Sequence, residues 1–424
     1  MSSPTPTKQQ VHDNFARAKE SFAALGVDAE AAIRTLAGIP ISLHCWQGDD
    51  ITGFEVHEGG TDSGGLQATG NFPGKARNAD ELRQDMLRAL SLIPGRHRVN
   101  LHAMYAETAG RQVDRNELAP EHFAAWMDWA AQHDLNLDFN GTFFAHPKAQ
   151  SGLTLSSSDE TIRSFWVEHG IASRKIGAAI AQRQGSACIT NLWIPDGTKD
   201  LPADRWTPRQ QLVRSLDEIF ATPMPGCKDA LESKLFGLGS ESYVVGSHEF
   251  YMAYAMTRGK MLCLDMGHFH PTEQVADKVS AILTFSDELL LHVSRGIRWD
   301  SDHVVIFNDD LCALAQEVVR AGALGRVHFA LDFFDASINR IGAWVVGARA
   351  LQKALLAALL EPSDLLQQME RKGDGIGRLG LMEEGKTLPL SAIWDYFCRT
   401  RDVPVGFAWV DEVRAYEKTV LSKR

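Results

Sequence analysis

The chain has 424 residues, 44% hydrophobic and 23% charged, and 54 acidic against 43 basic side chains leave a formal net charge of -11. This composition excludes global disorder, and its acidic balance disfavours a nucleic-acid partner, which requires a basic face. No apolar run approaches the roughly 18 residues of a membrane span, MSSPTPTKQQ (1–10) lacks the apolar core of a signal peptide, and the six cysteines include no CxxC pair; the expectation is a cytoplasmic protein with reduced thiols and no membrane partner.

Residues 1–40 read as an N-terminal helical extension, with helical patterning over 8–37. Eight short β-branched or apolar runs follow: Ile41–Trp46, Arg98–His102, Asn136–Asn140, Cys188–Ile194, Ala230–Leu235, Met261–Met266, Leu289–Ser294 and His328–Phe333. Helical patterns follow most of them, over Asp80–Leu92, Pro120–Gln132, Thr161–Gln184, Thr207–Phe220, Thr272–Phe285, Asp309–Ala321 and Ala336–Leu360. Eight strand-then-helix units over 41–360 match the count of an α/β fold of the (β/α)8 TIM-barrel class; a doubly wound sheet alternates in the same way. Gln47–Lys75 is a long glycine-rich loop, the kind that serves as a lid or a partner contact. Residues 361–424 read as a C-terminal helical extension interrupted at Gly373–Gly380. Gly375-x-Gly377-x-x-Gly380 matches a dinucleotide fingerprint literally but follows the helix-like DLLQQMERK instead of a strand, so it reads as a flexible loop.

Catalytic groups of such barrels sit at the C-terminal ends of the strands. Here those positions hold His44, His102, Asn191, Glu232, Lys234, Asp265, His268, His292, Asp300, Asp302 and Asp332. Several interrupt apolar strands, and an unpaired buried carboxylate is very costly. A metal explains them most simply. A donor set of carboxylates with two imidazoles and no thiolate selects Mn²⁺ or Mg²⁺ ahead of a cysteine-type zinc site. Seven candidate ligands exceed what one octahedral ion can use beside substrate and water, which points to two ions sharing a carboxylate. Taken singly, Asp265-x-x-His268 and Asp300-x-Asp302 are weak patterns; their conjunction carries the specificity.

The segments HCWQGDD (44–50), QATGNFPGKARN (67–78), ESKLFG (232–237), LDMGHFHPTE (264–273), LLHVSRGIRWDSDHV (290–304), LDFFDASINRI (331–341) and VRAYEK (413–418) resemble L-rhamnose isomerases, from about residue 10 to the C-terminus. More distantly, the order Glu-x-Lys, Asp-x-x-His, Asp-x-Asp, Asp is similar to that of xylose isomerases. The resemblance implies isomerisation of L-rhamnose to L-rhamnulose, the first step of L-rhamnose catabolism, by a homotetramer carrying two divalent cations per subunit, with Mn²⁺ first and Zn²⁺, Co²⁺ or Mg²⁺ as substitutes. It implies that Glu232, Asp265, His292 and Asp332 hold one ion and His268, Asp300 and Asp302 the other, with Asp265 between them. NGTFFAH (140–146) and the start of EFYMAY (249–254) depart from the family's pattern, which bears on sugar preference.

On this reading, cations on neighbouring sugar oxygens assist a hydride shift between C1 and C2. Water held by carboxylates such as Asp302 and Asp332 shuttles the hydroxyl proton. Lys234 donates a hydrogen bond to the carbonyl oxygen, or else pairs with Glu232. His102 assists ring opening or positions the ring oxygen. Trp46 and Trp193 suit the apolar face of a deoxysugar, or serve as packing. An enediol route is the chemical alternative; a two-metal hydrolase and a non-catalytic sugar-binding protein are the functional ones.

Overall fold

A computed structural model describes residues 5–45, 53–55, 72–234, 241–270, 272–297, 302–334 and 338–424; Trp46, Asp300 and most of 47–75 lie outside the described residues. Eight parallel strands close into a barrel: β1 (Ile41–His44), β2 (Arg98–His102), β3 (Asn136–Asn140), β4 (Cys188–Leu192), β5 (Cys227–Glu232), β6 (Met261–Asp265), β7 (Leu289–Val293) and β8 (Val327–Leu331), with β8 pairing back onto β1. This is the (β/α)8 TIM barrel expected from the alternation. Helices α1 (Lys8–Ala23) and α2 (Ala29–Ala37) precede it. Each strand is followed by one helix: α3 (Ala79–Leu90), α4 (Ala124–Gln132), α5 (Glu160–Gln184), α6 (Trp206–Phe220), α7 (His248–Arg258), α8 (Ala276–Leu283), α9 (Asp309–Arg320) and α10 (Arg340–Leu359). Helices α11 (Ser363–Arg371), α12 (Gly375–Gly385), α13 (Leu390–Thr400) and α14 (Ala408–Thr419) complete the chain.

Strand alternation divides the core. Leu43, Val99, Leu137, Phe139, Leu231, Leu262, Leu264, Leu291 and Leu331 belong to the large cluster that joins barrel and helices. Ile189, Ala230, Met261, Cys263, Leu290 and Ala330 form a separate small cluster. Helix α10 is apolar on nearly every side and is buried nearly throughout, because α2, α3, α9 and α13 all pack on it. No single described helix is long and apolar enough to cross a membrane, and the six cysteines are free thiols.

Four local expectations need correction. Gly375–Gly385 is helical: Gly373 turns in the left-handed region (φ 71°), and the Asp374 carboxylate accepts from Gly377 N–H at 2.9 Å. That cap starts a new helix at once, and each internal glycine costs only about 1 kcal/mol. Strand β5 starts at Cys227, three residues early, because Cys227 and Lys228 pair with Cys188 and Ile189 despite the charge. EFYMAY lies in α7, where Tyr251 and Tyr254 are buried, so it presents packing to the barrel. The first turn of the Pro120 segment is a 3₁₀ helix, with α4 starting at Ala124.

Two buried histidines latch the scaffold as neutral tautomers. His97 Nδ1 accepts from Ile41 N–H at 3.3 Å while its Nε2 bonds the Pro94 carbonyl at 3.1 Å. His169 Nε2 accepts from Thr142 N–H at 2.9 Å while its Nδ1 bonds the Arg115 carbonyl at 2.9 Å. Protonation would set N–H against N–H, and burial pushes each ring down to about 4. A depressed folded value means that the unfolded chain binds the proton first. Stability is therefore fully present above about pH 6.5 and falls as pH drops towards 4, by about 1.4 kcal/mol per pH unit per histidine at the steepest. Urea midpoints at pH 7, 5.5 and 4.5 should show this slope, and His97→Gln with His169→Gln should flatten it; an unchanged slope would refute the assignment.

Candidate metal centre

Strand register builds a ring at the C-terminal mouth. His102, Asn140 and Asn191 are successive partners on β2, β3 and β4, and Asp265 pairs with His292 across β6 and β7. In-register residues of parallel neighbours share a face. His44 and Glu232 end β1 and β5, and Asp332 follows β8 directly. One polar residue per strand thus closes the ring, and all are buried except half-buried Asp332.

Two groups of carboxylate and imidazole atoms lie within this ring and its loops, each with its atoms inside 4.8 Å: Glu232, Asp265, His292 and Asp332, and Asp265, His268 and Asp302; a third set, Glu232, Cys263 and His292, adds a thiol that burial pushes up. His292 Nδ1 faces Asp332 Oδ2 at 3.2 Å, Glu232 Oε2 at 3.3 Å and Asp265 Oδ2 at 3.7 Å. His268 Nε2 faces Asp302 Oδ2 at 3.7 Å. Its Nδ1 bonds the Ser233 carbonyl at 2.8 Å, which leaves the Nε2 lone pair pointing into the site. Metal-binding histidines are commonly oriented in this way. Asp265 belongs to both groups. Its Oδ1 accepts from Gly267 N–H and Ser294 Oγ, both at 2.7 Å, while its Oδ2 has no hydrogen-bond partner among the described residues.

The donor chemistry fits a cation. Both ring nitrogens of fully buried His292, Asp265 Oδ2 and Asp302 Oδ1 are buried without a hydrogen bond among the described residues. Native proteins seldom leave such groups unsatisfied. The charges ask for the same thing. Burial opposes a charge on His292, yet Cys263, Glu232 and Asp332 hold its value well above the usual imidazole range. Burial, then the Asp302 charge, pushes Asp265 well above the usual carboxylate range. Burial likewise opposes ionisation of Asp332, but His292, His44 and His102 hold it low. The carboxylates repel one another and favour an imidazolium as counter-charge, a place that a divalent cation would fill.

The remaining expected residues separate into those at the mouth and those bonded elsewhere. His102 Nε2 accepts from Asn140 Nδ2 at 2.8 Å, and burial lowers its value to about 3, so the ring is neutral. Buried Lys234 donates to the Pro195 carbonyl and sits 3.8 Å from Glu241, which pairs with it where the sequence had suggested Glu232. Trp193 is half-buried and meets Phe144 edge to face at 5.7 Å. His270 is exposed and bonds Thr272 Oγ1, outside both groups. Asn140 of the NGT sequence is buried inside the barrel.

Two supporting roles escaped the sequence reading. Asn191, already placed at a strand end by the sequence, donates from Nδ2 to Glu232 Oε2, two residues beyond its register partner Ala230. Fully buried Asp196 accepts from the amides and hydroxyls of both Thr154 and Ser156, fixing the turn that carries Pro195. No local signal marks Asp196. At Gly267, a Cβ would stand 1.8 Å from Asp302 Oδ1. Gly267→Ala should therefore displace Asp302 and cut turnover about 100-fold, as a misplacement of about 1 Å can, with an unchanged circular dichroism spectrum; near-normal turnover would remove the constraint.

A closed (β/α)8 barrel with two adjoining groups of carboxylate and imidazole ligands at its catalytic mouth defines the class: a barrel enzyme with candidate sites for divalent cations. The family model described as L-rhamnose isomerase (RhaA) matches residues 9–424. L-rhamnose isomerase of Rhodopirellula baltica is 57% identical over 412 residues, covering 97% of this chain and 96% of that protein. L-rhamnose isomerase of Mannheimia succiniciproducens is 56% identical over 416 residues, covering 98% and 99%. The chain belongs to the L-rhamnose isomerase family, and it is an isomerase, which sets aside the hydrolase and binding-protein alternatives.

Proposed function

We propose that the protein converts L-rhamnose to L-rhamnulose as an aldose–ketose isomerase, the opening step of L-rhamnose catabolism, with residues 41–360 as its catalytic unit between helical extensions 1–40 and 361–424. The observation that carries this reading is the pair of ligand groups joined through Asp265 in a chain of this family. Two divalent cations per subunit, Mn²⁺ first, would supply Lewis acidity to neighbouring sugar oxygens. Glu232, Asp265, His292 and Asp332 would hold one, and His268, Asp300 and Asp302 the other. Neutral His102 positions the ring oxygen. Lys234, held by Pro195 and Glu241, presents its ammonium to the mouth, and Trp193 with Trp46 receives the deoxysugar's apolar face. Hydrogen passes between C1 and C2 within the sugar. The subunit works as a homotetramer in the cytoplasm. Side activity on L-lyxose, L-mannose and D-allose is expected, since a methyl contact discriminates by only about 1–3 kcal/mol.

The test is turnover of L-rhamnose by chelator-stripped protein before and after Mn²⁺ is returned. Ketose restored by metal supports the reading. No ketose with Mn²⁺, Co²⁺, Zn²⁺ or Mg²⁺, from protein that remains folded, overturns it.

A further inference from the structure

The connections that leave three neighbouring strands, β1, β2 and β3, meet at one buried guanidinium. Arg115, between β2 and α4, is 1% exposed. Its Nε donates to Glu55 Oε1 at 3.0 Å, and one terminal nitrogen donates to Glu55 Oε2 at 2.8 Å. That same nitrogen donates to the Ala145 carbonyl at 3.1 Å. The other terminal nitrogen donates to the carbonyl of Thr142, at 2.7 Å, and to that of Phe144. Every N–H of the fork is used. Glu55 belongs to the connection after β1, where Phe54 N–H reaches the Met104 carbonyl at 2.9 Å. Thr142, Phe144 and Ala145 belong to the connection after β3. His169 closes the other side of this turn, bridging the Arg115 carbonyl and Thr142 N–H.

The turn needs holding. Ala145 sits at φ 49°, in the left-handed region, which a residue with a Cβ keeps only where its surroundings over-determine it. Phe144, just before it, is buried, and its ring meets half-buried Trp193 edge to face at 5.7 Å. Trp193 in turn stands between Asn191, which bonds Glu232, and Pro195, whose carbonyl takes Lys234. The shape of the turn is therefore passed to an indole flanked on both sides by residues bonded to the mouth.

We propose that Arg115 is a positioning residue that determines sugar specificity: by clamping the Thr142–Ala145 turn it sets Phe144 against Trp193 and fixes the indole that receives the apolar face of the sugar. This rests on the reading of Trp193 as a sugar contact. Arg115 lies outside both ligand groups and acts only through the turn. Its effect falls on the sugar's C6 methyl and leaves the exchange between C1 and C2 alone.

Steady-state kinetics of the Mn²⁺-loaded enzyme on L-rhamnose and on L-lyxose, which is L-rhamnose without its C6 methyl, test this. Arg115→Lys keeps a charge opposite Glu55 but has no fork to span three carbonyls. It should lower kcat/KM for L-rhamnose about 10-fold, the low end of what one methyl contact is worth, mostly through KM, and for L-lyxose by less than about 2-fold. Poorer folding or metal loading would lower both sugars alike, so equal losses make Arg115 merely structural and overturn the proposal, as does an unchanged preference. Adding Ala145→Gly should restore most of the preference, since glycine takes a positive φ without a clamp; no recovery shows that Arg115 does not act through the turn and overturns the proposal as well. Arg115→Gln with Glu55→Gln, which removes both charges together, carries the same expectation if Arg115→Lys does not fold. Trp193→Leu separates the underlying reading. Preference lost there but kept in Arg115→Lys overturns the proposal alone; preference kept in Trp193→Leu overturns the reading of Trp193 and the proposal with it.

Discussion

Asp302→Asn is expected to abolish metal-restored turnover, by at least about 10³-fold, while the protein stays folded. Asp302 Oδ2 faces His268 Nε2 at 3.7 Å, and its Oδ1 is buried without a hydrogen bond among the described residues. The amide keeps the shape but removes the charge, leaving the Asp265, His268 and Asp302 group with one carboxylate. A factor of 10³ is about 4 kcal/mol of transition-state stabilisation. The fold should tolerate the change, since Asp302 repels Asp265 and its main-chain bond to Phe334 N–H at 2.6 Å needs no side chain. Steady-state kinetics with saturating Mn²⁺, beside thermal unfolding, separates the two effects. Wild-type turnover would overturn the metal assignment; collapse of the fold would make Asp302 structural.

Asp138→Ala is expected to cost about 3–5 kcal/mol of stability. Asp138 of β3 accepts from Arg98 Nε and an Arg98 terminal nitrogen at 2.8 Å, from Ser42 Oγ at 2.7 Å and from Ile189 N–H at 2.9 Å. One carboxylate therefore ties β1, β2, β3 and β4 together at the end of the barrel remote from the metal groups. Its loss strands a largely buried guanidinium and a strand amide. The exposed pair Arg96–Asp134 is the control, with both side chains at least 70% exposed, and Asp134→Ala should change stability by less than about 1 kcal/mol. Urea unfolding of the two variants measures the difference. Equal losses would show that Asp138 is no tie.

Much of the architecture was legible because it is written in local periods. Strand runs of period two between helical stretches specify a barrel of eight units, and polar residues at the last inward position of β5, β6 and β7 stand out against apolar neighbours. Helix α7 was not legible, since EFYMAY is as apolar and aromatic as a strand. Helix α12 was not, since its glycines read as a loop when the Asp374 cap is overlooked. Asp138 and Arg98 carried no signal as a pair, being 40 residues apart, and Asp196 gains its meaning only from a turn 40–42 residues upstream.

From sequence alone follow the alternation, the carboxylate and imidazole donor types, and the family, because each depends on residues close in the chain or on matched motifs. The tertiary structure alone decided that Asp265 joins two ligand groups, that Lys234 reaches Pro195 and Glu241, and that Asn191 bonds Glu232. Barrel closure brings together strands more than 200 residues apart, with β8 beside β1. Distances across that closure depend on register and side-chain packing, which no local pattern encodes.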